Sequence, residues 1–463
     1  MTMKSRRSFL QSGVAGALAL ALGSQRSDSA ASGRRPNFLV LVTDDQRSDT
    51  LGEMGNSLIK TPNLDLLARK GVLFSNNFCT TSICCSSRAT LLTGIDAPRH
   101  GIDAFNRPLE EEHWKVAFPM LLREAGYRTG FVGKWGLGGK MPEGDYDFWA
   151  GFSGQGTYFE EVEGLRVHRT QIIARDASRF LDGCDGKTPF CLHVAFKAPH
   201  CLDGDPRPFH PDPAFDDYYK DDFIPPPPTA DEDYFKALPE FLQTSEGRVR
   251  WKIRFSDRDL YQRSVKDYYR LVTGVDYAVG QLVAKLEEKG LAKDTVILFT
   301  SDNGFFLGEK GLAGKWTMHE PSIRVPLLVY DPSVSDTLWH RKLEPMTLTT
   351  DVAPTLLDYA GLPLPESVQG MSFRPLVENR QVGWRSSWFY SHLLKHPRIP
   401  KCEGVRTEDW KYIRYLDSDP LFEELYNLKR DPHEERNLAL FPDHGDKLLE
   451  MRQRWENLRK SAV

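Results

Sequence analysis

Pro36-Asn37-Phe38-Leu39-Val40-Leu41-Val42-Thr43-Asp44-Asp45-Gln46 is the stretch on which the fold turns. A strand with one wet face alternates apolar and polar residues, but Phe38 to Val42 is apolar without a break. Such a run suits a strand buried on both faces, as in a parallel sheet covered by helices on either side. It ends on two adjacent carboxylates, and in open α/β sheets ligands gather beyond the C-terminal ends of the strands. One short stretch thus sets a fold class and points to a ligand-binding rim.

Outward from it, helix and strand signals alternate. Thr61-Pro62-Asn63-Leu64 opens a helix with an N-cap candidate and proline at its first position, and Gly71 closes it. A short strand follows at 72–74. The amphipathic run 118–125 stops at Gly126 and leads to a strand at 127–132. A helix over 170–181 precedes a strand at 190–196, and a long helix over 264–289, ended by Gly290, precedes one at 295–300. A strand at 326–330 and a helix at 351–359 complete the pattern. The expected fold is α/β: a large mixed, mostly parallel sheet sandwiched by helices, spanning 35–371. From residue 372 the texture changes to short strands and a charged terminal helix, which reads as a smaller C-terminal α+β subdomain over 372–463. Residues 202–262, rich in Pro, Asp and aromatics, read as a long surface excursion.

A hydrophobic content of 40% and a charged content of 27% match a soluble globular protein. The net charge of -4 gives no basis for a nucleic-acid partner, since binding driven by counterion release needs a concentrated basic surface. Lys4, Arg6 and Arg7, the apolar run 13–22, and the small residues at 28–31 form the three regions of a signal peptide over 1–31. Ser5-Arg6-Arg7-Ser8-Phe9-Leu10 resembles the twin-arginine signal, which implies export of a folded protein by the Tat machinery, to the periplasm or beyond. Seven cysteines, at 79, 84, 85, 184, 191, 201 and 402, match no zinc-site spacing. An odd number leaves one thiol to explain; if Cys84 is chemically consumed, six remain, which permits disulfides.

A second strand end carries Asp302-Asn303-Gly304. With Asp44 and Asp45 these make an all-oxygen set suited to Ca²⁺, with Mg²⁺ or Mn²⁺ as alternatives, although Asp and Asn are equally at home as turn residues. The segment Cys84-Cys85-Ser86-Ser87-Arg88-Ala89-Thr90-Leu91-Leu92-Thr93-Gly94 resembles the signature of the formylglycine-dependent sulfatases of the alkaline phosphatase superfamily. The resemblance implies that Cys84, placed four residues before Arg88, is oxidised to Cα-formylglycine by a formylglycine-generating or sulfatase-maturing enzyme. It further implies that Asp44, Asp45, Asp302 and Asn303 hold the cation together with position 84. Lys134 in Gly133-Lys134-Trp135 and Lys315 in Gly314-Lys315-Trp316 would contact the sulfate, and His200 in Lys197-Ala198-Pro199-His200 would protonate the leaving group.

Two positions depart from the family pattern. Ser86 stands where Pro or Ala is usual. Gly136 stands where a histidine usually sits beside formylglycine and helps break down its sulfate ester, so a histidine placed there is expected to speed that step, or at least not to slow it. His100 and His319 are candidate stand-ins. The implied activity is hydrolysis of a sulfate monoester on a sulfated saccharide, with His392, Arg398 and Glu403 as candidate substrate-binding groups. The alternatives are a phosphonate or phosphodiester hydrolase of the same superfamily, or a glycan-binding protein on a degenerate scaffold.

Overall fold

The computed structural model describes residues 35–462, so the signal peptide expected over 1–31 lies outside the described residues. The main elements in chain order are β1 (Asn37–Asp44), α1 (Pro62–Arg69), β2 (Val72–Phe74), α2 (Cys84–Thr93), α3 (Phe118–Glu124), β3 (Arg128–Lys134), β4 (Phe148–Phe152), α4 (Arg169–Asp182) and β5 (Phe190–Pro199). They continue with α5 (Arg258–Glu288), β6 (Thr295–Ser301), β7 (Leu327–Tyr330), β8 (Arg341–Leu343) and α6 (Val352–Tyr359). The last are β9 (Ser387–His392), β10 (Cys402–Thr407), β11 (Trp410–Tyr415), β12 (Phe422–Asn427) and α7 (Gly445–Ala462).

The first eight strands form one sheet in the order β8-β2-β7-β6-β1-β5-β3-β4. β1 lies at its centre, parallel to β5 on one side and β6 on the other, while β7 runs antiparallel to both its neighbours. Alternation along β1 explains its unbroken apolar sequence. Leu39 and Leu41 point into a core shared with α1, α4 and α5, whereas Phe38, Val40 and Val42 point into a second core shared with α2, α3 and α6. The expected α/β architecture is the one observed.

Local chemistry sets the differences. The long helix begins at Arg258, some way before 264, because the Asp257 carboxylate caps it by accepting the Leu260 N–H at 2.9 Å. The segment 202–262 is not simply a surface excursion. Phe209, Tyr219, Ile224 and Phe255 are buried in the α1/α4/α5 core, and three short α-helices and a 3-10 turn lie within the segment. Its prolines and aspartates give a loop signature, while its aromatic side chains drive it onto the sheet's helical layer. None of the seven cysteines is paired in a disulfide.

β9 to β12 form a separate antiparallel meander. One face packs on α7 through Val405, Tyr412, Leu425 and Met451. The other packs on the large domain through Trp388, Tyr390, Ile413 and Tyr426 against Phe78, Met318 and Ile323. Tyr390 donates from its hydroxyl to the Trp316 carbonyl at 2.6 Å and accepts the Ser82 N–H at 3.2 Å. The meander thereby braces the two segments that lead into Cys84 and out of Lys315.

Candidate active site

Four strand ends, those of β1, β3, β5 and β6, and one helix start meet at the C-terminal rim of the sheet. At the end of β1 the register against β5 shifts between Val42 and Asp44, and Asp45 takes a left-handed φ of 65°. Aspartate tolerates that region better than most residues, and the turn lets two consecutive carboxylates face one centre. Beside it, β6 delivers Asp302, whose N–H donates to the Thr43 carbonyl at 3.0 Å, and then Asn303. α2 starts at Cys84 after an extended Ile83 and is buried along its whole length. Its free N–H groups favour negative charge at the first turn.

Arg88 sits one turn after Cys84, on the same face. It donates from Nε to Asp302 Oδ2 at 2.9 Å and from Nη1 to the Lys134 carbonyl at 2.8 Å, with Nη2 at 3.5 Å from Asp44 Oδ2. Lys134, at the end of β3, donates to Asp44 Oδ2, and Lys315 donates to Asp45 Oδ1. His200 Nε2 lies 3.6 Å from Asp45 Oδ2, while its Nδ1 meets the Cys201 carbonyl at 2.6 Å. Asn303 donates to Asp45 Oδ1 at 2.6 Å.

These groups are buried, so their charges interact strongly. Burial works to raise the Asp44 carboxyl, but Lys134, His200, Arg88 and Lys315 together hold it well below the usual carboxylate range. Asp302 goes the other way, raised to about 7 by burial and by the neighbouring Asp44. Burial pushes His200 down to about 4, with Asp45 and Asp44 pulling against it. Burial also works to lower Arg88, Lys134 and Lys315, yet nearby acids raise all three, and negative charge at Cys84 contributes to each. Asp44 Oδ1, Asp45 Oδ2 and Asn303 Oδ1 are buried acceptors without a hydrogen-bond partner. Orphaned carboxylate and amide oxygens are costly unless a cation or water satisfies them, so this donor set fits a hard divalent ion. Carboxylate oxygens of Asp44 and Asp45 also lie within metal-sharing distance of a His200 nitrogen.

The structure thus brings together Asp44, Asp45, Cys84, Arg88, Lys134, His200, Asp302, Asn303 and Lys315. The other candidates divide. His392 is buried with neither ring nitrogen hydrogen-bonded and feels the charge of Lys315. Arg398 lines a narrow hollow with Lys315 and Trp316, its guanidinium held by Glu246 at 2.6 Å. Glu403 does not belong to the site: it lies under α7, accepting from Trp455 Nε1 at 3.1 Å and Arg459 Nε at 3.0 Å.

Neither stand-in histidine contacts Cys84. His100 is pinned between Thr90 Oγ1 and the Ile102 N–H, each at 3.1 Å, and burial lowers it to about 3. His319 faces Glu424 and the rings of Phe306 and Tyr426. Ser86 is accommodated simply, its hydroxyl donating to the Ile102 carbonyl. Gly136 has surroundings that bear on the expectation attached to it. It has a φ of +76°, and a Cβ there would stand 2.6 Å from Arg88 Cδ and 3.0 Å from Arg88 Nε. The space that a histidine would enter is filled by the arginine.

Two further polar groups reach the site without having been singled out in the sequence. Gln155 accepts from Lys134 Nζ at 2.6 Å and lies 4.0 Å from Cys84 Sγ. Lys197 is buried with its ammonium over the Tyr158 ring at 4.9 Å and no hydrogen-bond acceptor. Burial and the like charge of Lys134 lower it to about 8.

The fold is shared with a phosphonate monoester hydrolase of Agrobacterium radiobacter, at a TM-score of 0.73, 23% identity, and coverage of 93% of this chain and 96% of that one. Within that fold, residues 36–362 match the sulfatase family model, and residues 308–461 match the model of the N-sulphoglucosamine sulphohydrolase C-terminal region. The chain belongs to the sulfatase family, and its activity is that of a sulfuric ester hydrolase. It is 32% identical to an N-acetylglucosamine-6-O-sulfatase of Bacteroides thetaiotaomicron, over 99% of this chain and 92% of the relative. It is 28% identical to the human N-sulphoglucosamine sulphohydrolase, over 94% and 90% respectively. A solved structure in complex with D-glucosamine-2-N,6-O-disulfate superposes with a TM-score of 0.80 at 27% identity, covering 93% of this chain and 98% of that one.

Proposed function

We propose that this sulfatase hydrolyses a sulfate monoester on a glucosamine-type sugar, using a hydrated formylglycine made from Cys84. The observation that carries the catalytic part is the convergence of Arg88, Lys134, Lys315 and His200 on the acids beside the first residue of α2. The sugar assignment is supported by relatives named for sulfated glucosamine. It also fits the position of Trp316 and Arg398 in the hollow beside Lys315.

Asp44, Asp45, Asp302 and Asn303 would hold a divalent cation, calcium or else magnesium or manganese. Bound there, it supplies positive charge to the sulfate oxygens and to the nucleophile. Lys134 and Lys315, both kept protonated by the acids they touch, bind the sulfate's non-bridging oxygens where negative charge concentrates. Arg88 fixes Asp302 and the Lys134 main chain, so the nucleophile and the sulfate-binding lysine keep one relative position. His200 is anchored through Nδ1, which donates to the Cys201 carbonyl and turns Nε2 into the site; protonated once the negative charge of a bound sulfate ester offsets its burial, it would donate from Nε2 to the departing sugar oxygen.

Mass analysis of the peptide spanning Cys84, joined to rate measurements on defined sugars, tests this. The peptide should show loss of the thiol in favour of the aldehyde. Turnover should be greater on glucosamine 6-O-sulfates than on galactose or uronic acid sulfates. An intact thiol in fully active protein removes the nucleophile assignment; equal rates across the sugar panel remove the substrate assignment.

A further inference from the structure

We infer that Gln155 is a positioning residue for the nucleophile, linking it to Lys134. This inference rests on the formylglycine reading above. Cys84 Sγ occupies the place of one oxygen of the aldehyde hydrate, and the Gln155 side-chain nitrogen is 4.0 Å from it. A shift of that oxygen by less than an ångström gives an ordinary N–H···O hydrogen bond. The other end of the same amide accepts from Lys134 Nζ at 2.6 Å. One side chain therefore ties the nucleophile to a sulfate-binding lysine.

The surroundings leave this place to Gln155. Arg88 fills the space above Gly136 and is itself committed to Asp302 and the Lys134 carbonyl. His100 and His319 are held elsewhere by their own partners. Gln155 comes from the loop after β4, flanked by Gly154 at φ 65° and Gly156 at φ 62°, a backbone course that glycine permits and that turns the amide inward.

The chemistry follows from what an amide can do. It carries no proton to exchange, so it acts by donating a hydrogen bond. To release sulfate, the remaining hydroxyl on the former Cys84 carbon gives its proton to water. Its O–H electron pair becomes the carbonyl π bond, and the C–O bond to sulfate breaks with its pair leaving on sulfate. A donor aimed at that hydroxyl oxygen fixes its orientation, with its own proton turned toward the water that accepts it. Misplacing a reacting group by about 1 Å costs on the order of 10²-fold in rate.

Full-length Gln155→Ala and Gln155→Glu, with the mass of the Cys84 peptide read before and during rapid-quench turnover of an aryl sulfate, test the inference. Both variants should carry as much aldehyde as the parent and keep KM within a few-fold. They should release a first burst of aryl alcohol normally, then turn over about 10²-fold more slowly, with sulfate retained on the Cys84 peptide. Unchanged kcat overturns the inference. So does a slowed burst without retained sulfate, or a loss confined to KM. Gln155→Glu is nearly isosteric and keeps an acceptor for Lys134, so it decides the matter if the alanine variant misfolds. Failure of the underlying reading shows separately, as a thiol at Cys84 in the active parent enzyme.

Discussion

Replacing Gly136 by alanine tests how Arg88 is held. The residue has a φ of +76°, so any side chain there carries a backbone cost of about 1–2 kcal/mol. The added Cβ also meets Arg88 Cδ at 2.6 Å, well inside van der Waals contact. Arg88 cannot swing aside freely, because Nε is bonded to Asp302 at 2.9 Å and Nη1 to the Lys134 carbonyl at 2.8 Å. Overpacking of this kind costs about 1–3 kcal/mol, which brings the expected loss of stability to about 2–5 kcal/mol. Gly164 provides the control: its φ is +75°, but nothing lies within 4 Å of a Cβ built there. Gly164→Ala should therefore lose about 1–2 kcal/mol in thermal or urea unfolding and retain full kcat/KM. Gly136→Ala should lose more stability and, by shifting Arg88 against Asp302, about 10²-fold in kcat/KM on an aryl sulfate. Gly136→His should be at least as impaired, although histidine is the residue usual at this position in the family. A Gly136→Ala enzyme indistinguishable from Gly164→Ala in both stability and rate would refute the packing argument.

Glu403→Ala should lower stability by about 1–3 kcal/mol, by removing the buried acceptor that Trp455 and Arg459 of α7 share, with KM for sulfated sugars unchanged. A raised KM would return Glu403 to the substrate pocket. Asp276, on α5, accepts the Leu64 N–H at 2.8 Å and the Asn63 side-chain amide at 2.8 Å, and burial raises its carboxyl to about 7. The folded state then keeps this proton to higher pH than the unfolded chain, whose aspartate titrates near about 4, so the group's contribution to stability falls as pH rises from about 4 to about 7. Unfolding of the wild type and Asp276→Asn, compared across that range, should show the wild type losing ground steadily; a constant difference would show that Asp276 does not titrate there.

What could be read from the sequence follows the reach of each signal. β1 and the division of its side chains between two cores were legible because periodicity is local, and the acids at its end followed from where strand ends must lie. Cys84, Arg88, Lys134, His200 and Lys315 each sat in a short recognisable segment, and the fold supplied what no segment could, their assembly around Asp44 and Asp45. Glu403 was misplaced for want of a parity argument. In β10, Cys402 pairs with His392 and lies toward the Trp316 carbonyl, so the next residue, Glu403, must face the opposite side, where α7 covers it. Gln155 had no such handle, since one amide between two glycines has no spacing that separates it from an ordinary turn. Gly136 shows the opposite limit. Its sequence marks only a missing imidazole, whereas its physical content is the guanidinium of Arg88, brought there from a different helix. A gap in a motif is therefore read correctly only once the neighbour that fills it is known. With Arg88 as that neighbour, restoring the usual histidine is expected to disturb the site rather than repair it.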